Sequence, residues 1–282
     1  MLWMFMHPNA NRIFAAALLL TSMALPGLAR ADHFDPPYTA RAMVTGTRPE
    51  TRPAGFIDCL DDVLVKVSGD PHLIGDPRIK RFEKDAGKLV TGFHYRDQLE
   101  GIPIHDEQGT RDRAFDLICD FNRPGIDRIL HALGEKPWLG PRPRLAVFVG
   151  ILTSRGPFVL ASDGDRGPDQ RDSLATAANK RGIPAVLPTT AMLTERQIDF
   201  HKLESSKAIR LDVAAKAAGA DLPLAGTMVW SDRPPAGWIT RWRFDWRGHT
   251  YRWGGAGISF DESFRRGFQG VAQILSGHGA PQ

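Results

Sequence analysis

A chain of 282 residues, 42% hydrophobic and 24% charged, carries enough apolar side chain for two ordinary domains and is too apolar to be disordered on a large scale. A formal net charge of +4 is too small for the basic footprint of a nucleic-acid-binding domain, so no nucleic-acid partner is expected. Only Cys59 and Cys119 are cysteines, which excludes a cysteine-based metal site and leaves no cofactor or metal to expect.

Residues 1–31 read as a secretory signal peptide. Arg12 supplies the positive charge, residues 13–20 form an unbroken apolar run, and Pro26-Gly27 breaks it. Ala29-Arg30-Ala31 then places small side chains at both positions that a signal peptidase reads, so cleavage after Ala31 and a periplasmic mature chain beginning at Asp32 are expected. The apolar Met1-Leu2-Trp3-Met4-Phe5-Met6 stretch leaves open whether translation starts at Met1 or Met6. Arg12 and Arg30 are the only charged residues of this segment, so the net charge of +4 falls to +2 without it. No later apolar stretch approaches the ~20 residues of a membrane-spanning helix, and the mature chain is expected not to span a membrane.

In the periplasm a disulfide can persist, and sequence alone leaves open whether Cys59 and Cys119 are bridged or are simply small buried residues. Residues 38–45 form a plausible first strand. Pro53 opens a run with Phe56, Leu60, Val63, Leu64 and Val67 at helical spacing, which predicts an amphipathic helix ending at Ser68-Gly69-Asp70-Pro71. Phe115, Leu117, Cys119 and Phe121 alternate with Asp116, Ile118 and Asp120, the period of a strand with one buried face. Asn122 caps a helix with Pro124 near its start, Ile126, Ile129, Leu130 and Leu133 on one side, and Gly134 at its end.

The prolines at 137, 141 and 143 can continue neither a helix nor a central strand, and the domain boundary is placed there. Beyond it, residues 145–151 predict a buried strand and residues 154–170 a polar loop. A helix carries Leu174, Ala177 and Ala178, a short strand covers 183–187, and an alanine-rich helix covers 207–218 before a strand at 222–230. Trp238, Thr240, Trp242, Phe244 and Trp246 alternate with Ile239, Arg241, Arg243 and Asp245, and Arg247-Gly248 turns the chain into a further strand through Tyr251 and Trp253. Ser259 and Glu262 form a capping-box pattern ahead of a helix with Phe264, Phe268, Val271 and Leu275 on one face. The fold class predicted is α/β with mixed sheets: two small domains, 32–138 and 139–276, joined by a Pro-rich hinge, with a tail at 277–282. The second has the order β-α-β-α-β-β-β-α.

Several of these segments carry a family resemblance. Arg52-Pro53-Ala54 leading to Val63-Leu64-Val65-Lys66-Val67-Ser68-Gly69, Trp138 before Arg142-Pro143-Arg144-Leu145, Arg181-Gly182-Ile183-Pro184 with Leu187-Pro188, and residues 217–226 occur in the order found in a family of exported bacterial proteins. The chain resembles that family, the domain of unknown function numbered 2066, over most of its mature length. The resemblance implies an exported protein and carries no activity with it. The loop from Gly101 to Arg113 departs from the family pattern.

Two surfaces stand out as candidate sites. His105-Asp106-Glu107 with Arg111, Asp112 and Arg113 is the densest group of ionisable residues, and acid-base or metal chemistry would use such groups, although a mixed-charge loop is more often simply solvated. Five of the seven tryptophans lie between Trp230 and Trp253, either as a binding face or as the core side of a sheet; if they are core, Arg241, Arg243 and Arg252 form a basic patch on the outer face. Asp163-Gly164-Asp165-Arg166-Gly167-Pro168-Asp169 departs from a calcium loop at Gly167 and Pro168 and reads as a surface turn. The sequence has no Gly-x-Ser-x-Gly elbow, P-loop or dinucleotide fingerprint. The expectation is a non-catalytic binding or assembly module of the bacterial envelope that meets a protein or an envelope polymer. The alternative is an envelope hydrolase or metal-dependent enzyme using the His105-Asp106-Glu107 loop.

Overall fold

The computed structural model describes residues 35–101, 112–205 and 211–282. The first strand, β1 (Thr39–Thr45), leads into α1 (Arg52–Ser68), which starts on a proline and stops at Gly69 in the left-handed conformation. Two short helices, α2 (Lys80–Glu83) and α3 (Ala86–Leu89), precede β2 (Val90–Asp97), and β3 (Ala114–Phe121) runs into α4 (Arg123–Leu133). The Asn122 side chain accepts from the Gly125 N–H at 2.8 Å and Gly134 closes α4, as its capping residues predict.

These strands form an antiparallel sheet of order β1-β3-β2, with Ala42 opposite Leu117 and Tyr95 opposite the same residue from the other edge. Cys59, Leu60, Val63, Leu64 and Val67 of α1 pack with Ala40, Ala42, Leu117 and Cys119 of the sheet and Ile126, Ile129 and Leu130 of α4. Cys59 and Cys119 are joined in a disulfide, with Cα atoms 6.4 Å apart, which fixes α1 to the central strand. The edge strand β2 was not read from the sequence. It leaves Phe93 40% exposed, and the helical and strand periodicities that betray the other elements depend on burial.

The second sheet is mixed, with order β5-β4-β7-β8-β9 and β6 beside β4. Its strands are β4 (Leu145–Thr153), β5 (Gly156–Val159), β6 (Ala185–Val186), β7 (Leu222–Ser231), β8 (Gly237–Trp246) and β9 (His249–Ile258). β4 pairs in parallel with β6 and β7, and the remaining pairs are antiparallel. Helices α5 (Pro168–Lys180) and α9 (Phe260–Ser276) cover one face, where Leu145, Val147, Val149, Trp242 and Phe244 meet Leu174, Phe264, Phe268 and Val271. Three short helices, α6 (Thr190–Glu195), α7 (Phe200–Glu204) and α8 (Asp212–Ala217), lie on the other face, where Ala146 and Phe148 meet Leu193, Ala214 and Ala215. Burial on both faces is why β4 reads as a continuous apolar run rather than an alternating one.

The predicted order survives in the longer elements. The structure adds β5 within the segment that reads as loop, and α6 and α7 within a stretch that carries no prediction, because four to six residues are too few to display a period. The alanine-rich helix begins at Asp212, and residues 207–210 of the predicted span lie outside the described residues. Arg247 (φ 49°) and Gly248 (φ 80°) are both left-handed and make the tight two-residue turn between β8 and β9.

The described residues belong to one compact unit. The Pro-rich segment is fastened within it: the Trp138 N–H donates to Val67 O at 2.8 Å, and Arg142 stacks 3.9 Å above the Trp138 ring while donating to Lys66 O at 2.8 Å and Arg181 O at 3.0 Å. Asp62 of α1 and Lys180 of α5 form an ion pair at 2.7 Å. Lys66, almost fully buried, donates to Thr39 O at 2.9 Å; burial pushes its amine down to about 8 against the opposing pull of Asp35.

Candidate functional site

Alternation along β8 decides what each face of the sheet does. Trp238, Trp242 and Phe244 point toward α9 and are buried, and Trp246 is half-buried on the same side. Trp242 Nε1–H donates to Ser263 O at 3.1 Å and Trp253 Nε1–H to Arg266 O at 2.9 Å, so both indoles satisfy their one polar atom on α9. The tryptophan face is therefore core, and Arg241, Arg243 and Asp245 occupy the opposite face.

That opposite face is built in rows by the strand register. Arg241 lies beside Thr227 of β7, and Arg243 lies between Ala225 of β7 and Arg252 of β9. Helices α7 and α8 pack on β4 and β7, and between them and the outer face of β8 and β9 runs a groove of about 600 Å³. Its lining includes Lys202, Asp212, Thr227, Arg241, Arg243, Asp245 and Arg252.

Like charges directly opposite across a sheet repel, so the Arg243 and Arg252 pair carries a cost that a neighbour must offset. Asp245 does so. Its Oδ2 lies 2.6 Å from Arg243 Nη2 and its Oδ1 accepts from Thr250 Oγ1 at 2.5 Å. Burial works to raise the Asp245 carboxyl, but these hydrogen bonds and the two guanidinium charges outweigh it and hold the group below the usual carboxylate range. Asp245 is thus ionised at neutral pH and pins Arg243 in place. Arg243 Nε is shielded from solvent with no protein partner, whereas Arg241 and Arg252 are exposed. Planar guanidinium forks at fixed spacing suit carboxylate or phosphate groups, and Asp212 and Asp245 offer acceptors beside them. The groove can hold a polar, net-anionic chain or side chain.

The structure brings Arg241, Arg243 and Arg252 together and keeps the other candidates apart from them. His105, Asp106, Glu107 and Arg111 lie outside the described residues. Arg113 pairs with Asp97 Oδ2 at 3.2 Å and donates to Leu99 O at 2.6 Å, tying the start of β3 to the end of β2. Asp163 accepts from Thr190 N–H at 2.7 Å and from its hydroxyl at 2.9 Å, so the start of the 163–169 segment is a turn moored to α6, and Pro168 and Asp169 already belong to α5. The sequence pattern does not single out Lys202, Asp212 or Thr227: Lys202 sits on a helix too short to show a period, Asp212 on the predicted alanine-rich helix, and Thr227 is a polar residue within an apolar strand.

Residues 31–139 match the model of a family described as Domain of unknown function (DUF8605). No curated protein and no solved structure matches the chain.

Proposed function

We propose that this is an exported, non-catalytic binding or assembly module of the bacterial envelope, which uses the groove over β7, β8 and β9 to hold a net-anionic protein segment or envelope polymer. The groove carries this reading: three guanidinium groups from adjacent strands line it, while Trp238, Trp242 and Trp253 are committed to the core and only Trp230 of that tryptophan cluster is exposed. Export rests on the signal-peptide pattern that ends at Ala31.

The finer assignment, to the exported family numbered 2066, also belongs to our reading. The segments that carry that resemblance are far apart in sequence yet meet in space: Lys66 and Val67, Trp138, Arg142, Arg181 and Gly182 share one set of hydrogen bonds where the two sheets' helices come together. A motif set that converges at one junction is a reason for the segments to travel together in one family.

The test is in-envelope crosslinking of the wild type against the double variant Arg241→Glu/Arg243→Glu, after circular dichroism shows both to be folded. A discrete crosslinked species that disappears in the variant is expected. An identical crosslinking pattern in both proteins sinks the groove as the binding face.

A further inference from the structure

Three helices of this protein end in the same way. α1 stops at Gly69 (φ 75°), α4 at Gly134 (φ 86°) and α9 at Gly277 (φ 89°), each left-handed, and the residue that follows is Asp70, Glu135 and His278 in turn. The left-handed glycine turns the chain sharply off the helix axis, which sets the next side chain across the helix end. Helix C-termini carry partial negative charge, so a place where such ends gather favours a cation.

The three side chains meet there. One carboxylate oxygen of Asp70, one of Glu135 and a ring nitrogen of His278 all lie within 4.8 Å of one another. His278 Nε2 is 3.1 Å from Glu135 Oε2, and its Nδ1 is 2.8 Å from Ser276 Oγ. Asp70 is 4% exposed, and its Oδ1 is held by the His72 N–H at 2.9 Å and by His72 Nδ1 at 2.7 Å. Ser276 Oγ lies 3.2 Å from Gln273 O, so it can pass its own proton on while accepting Nδ1–H from His278. In that tautomer the Nε2 lone pair faces the Glu135 carboxylate, two acceptors that a cation would bridge.

We propose that Asp70, Glu135 and His278 bind a divalent first-row transition cation, with zinc the best match to the donor set. Two carboxylate oxygens and one imidazole nitrogen are ordinary zinc ligands, and an outer acceptor orienting the ring through its second nitrogen, here the Ser276 hydroxyl, is the usual kind of support for a metal-bound histidine. The 3.1 Å separation of Nε2 and Oε2 is close to the roughly 3.3 Å edge of a tetrahedron with zinc bonds of about 2.0–2.1 Å. Small rotations of Asp70 and Glu135 complete the approach. Arg78 is the nearby competing charge, within Coulombic reach of both carboxylates. Its guanidinium is already spent on Asp76, at 2.6 and 2.9 Å, and on Leu133 O, at 3.0 Å, so the two carboxylates still present excess negative charge. Sequence spacing hides the site, because His278 and Glu135 are 143 residues apart. A bound cation would staple the ends of α1, α4 and α9 and so join elements of both sheets.

The test uses untagged protein stripped with a chelator and titrated with zinc sulfate by calorimetry at neutral pH, together with thermal unfolding with and without zinc. One equivalent is expected to bind, with a rise in Tm, and Glu135→Gln and His278→Gln, which each remove a direct ligand, are expected to weaken binding by about 100-fold or more, beyond the range for a lost outer partner. The exposed His94→Gln variant is expected to bind as the wild type does. Cobalt(II) in place of zinc gives a second readout, a visible ligand-field spectrum in the wild type that both site variants lose. No zinc-dependent heat and no Tm change in the wild type overturn the proposal, as does binding that both site variants retain unchanged.

Discussion

The indole N–H of Trp242 donates to the carbonyl of Ser263 at 3.1 Å, which fastens the middle of β8 to the first turn of α9. Trp242 is 1% exposed and its one polar atom is satisfied, so the ring can be fully buried without an orphaned donor. Because side chains alternate along a strand, an inward Trp242 forces Arg241 and Arg243 outward into the groove.

Trp242→Ala is therefore expected to cost about 3–5 kcal/mol, the range for deleting a large buried aromatic, as measured by urea unfolding. Trp242→Phe should cost less, since it keeps most of the volume and loses the hydrogen bond to Ser263. Equal losses for the two variants would mean that packing against α9 contributes little.

Two glycines of α9 let these indoles approach. A Cβ on Gly270 would sit 2.5 Å from the Trp253 ring, and one on Gly267 would sit 2.8 Å from the Trp242 ring. In an exposed helix Gly→Ala stabilises by about 1 kcal/mol. Gly270→Ala is expected to have the opposite sign, a loss of about 1–3 kcal/mol from overpacking against a ring held by its hydrogen bond to Arg266 O. A rise in Tm for this variant would show that Trp253 can move aside.

Much of this architecture was legible where burial imposes a period. The capped helices α1, α4 and α9 and the alternating strand β8 follow from residue spacing, and the same alternation puts the tryptophans and the arginines on opposite faces while leaving open which face is core. What was illegible depends on closure in three dimensions. The groove exists because α7 and α8 stop over β7, and no residue of the arginine strand reports that. Similarly, Asp70, Glu135 and His278 each look like an ordinary residue after a helix cap, and only the packing of three helix ends brings them together.

The Cys59–Cys119 disulfide closes a loop of 60 residues between α1 and β3. Chain-entropy arithmetic for that length gives a stabilisation of about 4 kcal/mol. The double variant Cys59→Ala/Cys119→Ala is accordingly expected to unfold at distinctly lower urea concentration than the oxidised wild type, and to be insensitive to reductant. A difference below about 1 kcal/mol would be incompatible with the closed loop as a main support of this sheet.

Asp61 sits on the flank of α1 with Oδ1 shielded from solvent and no hydrogen-bond partner. Burial first, then the charges of Glu83, Asp62 and Asp58, push its carboxyl up to about 6. A carboxyl whose pKa is higher in the folded state than in the unfolded chain binds its proton more tightly when folded, so it lowers stability as pH rises from about 4 through about 6. Asp61→Asn removes that charge. The variant should be more stable than the wild type at pH 7 by about 1 kcal/mol, a figure already reduced for the screening that half-exposed groups experience. The advantage should shrink through the window from pH 6 down to pH 4 and vanish below it, where the wild-type side chain is neutral in both states. Urea unfolding of both proteins across that window checks the sign: an advantage that stayed constant with pH would have to come from packing or helix propensity instead of charge.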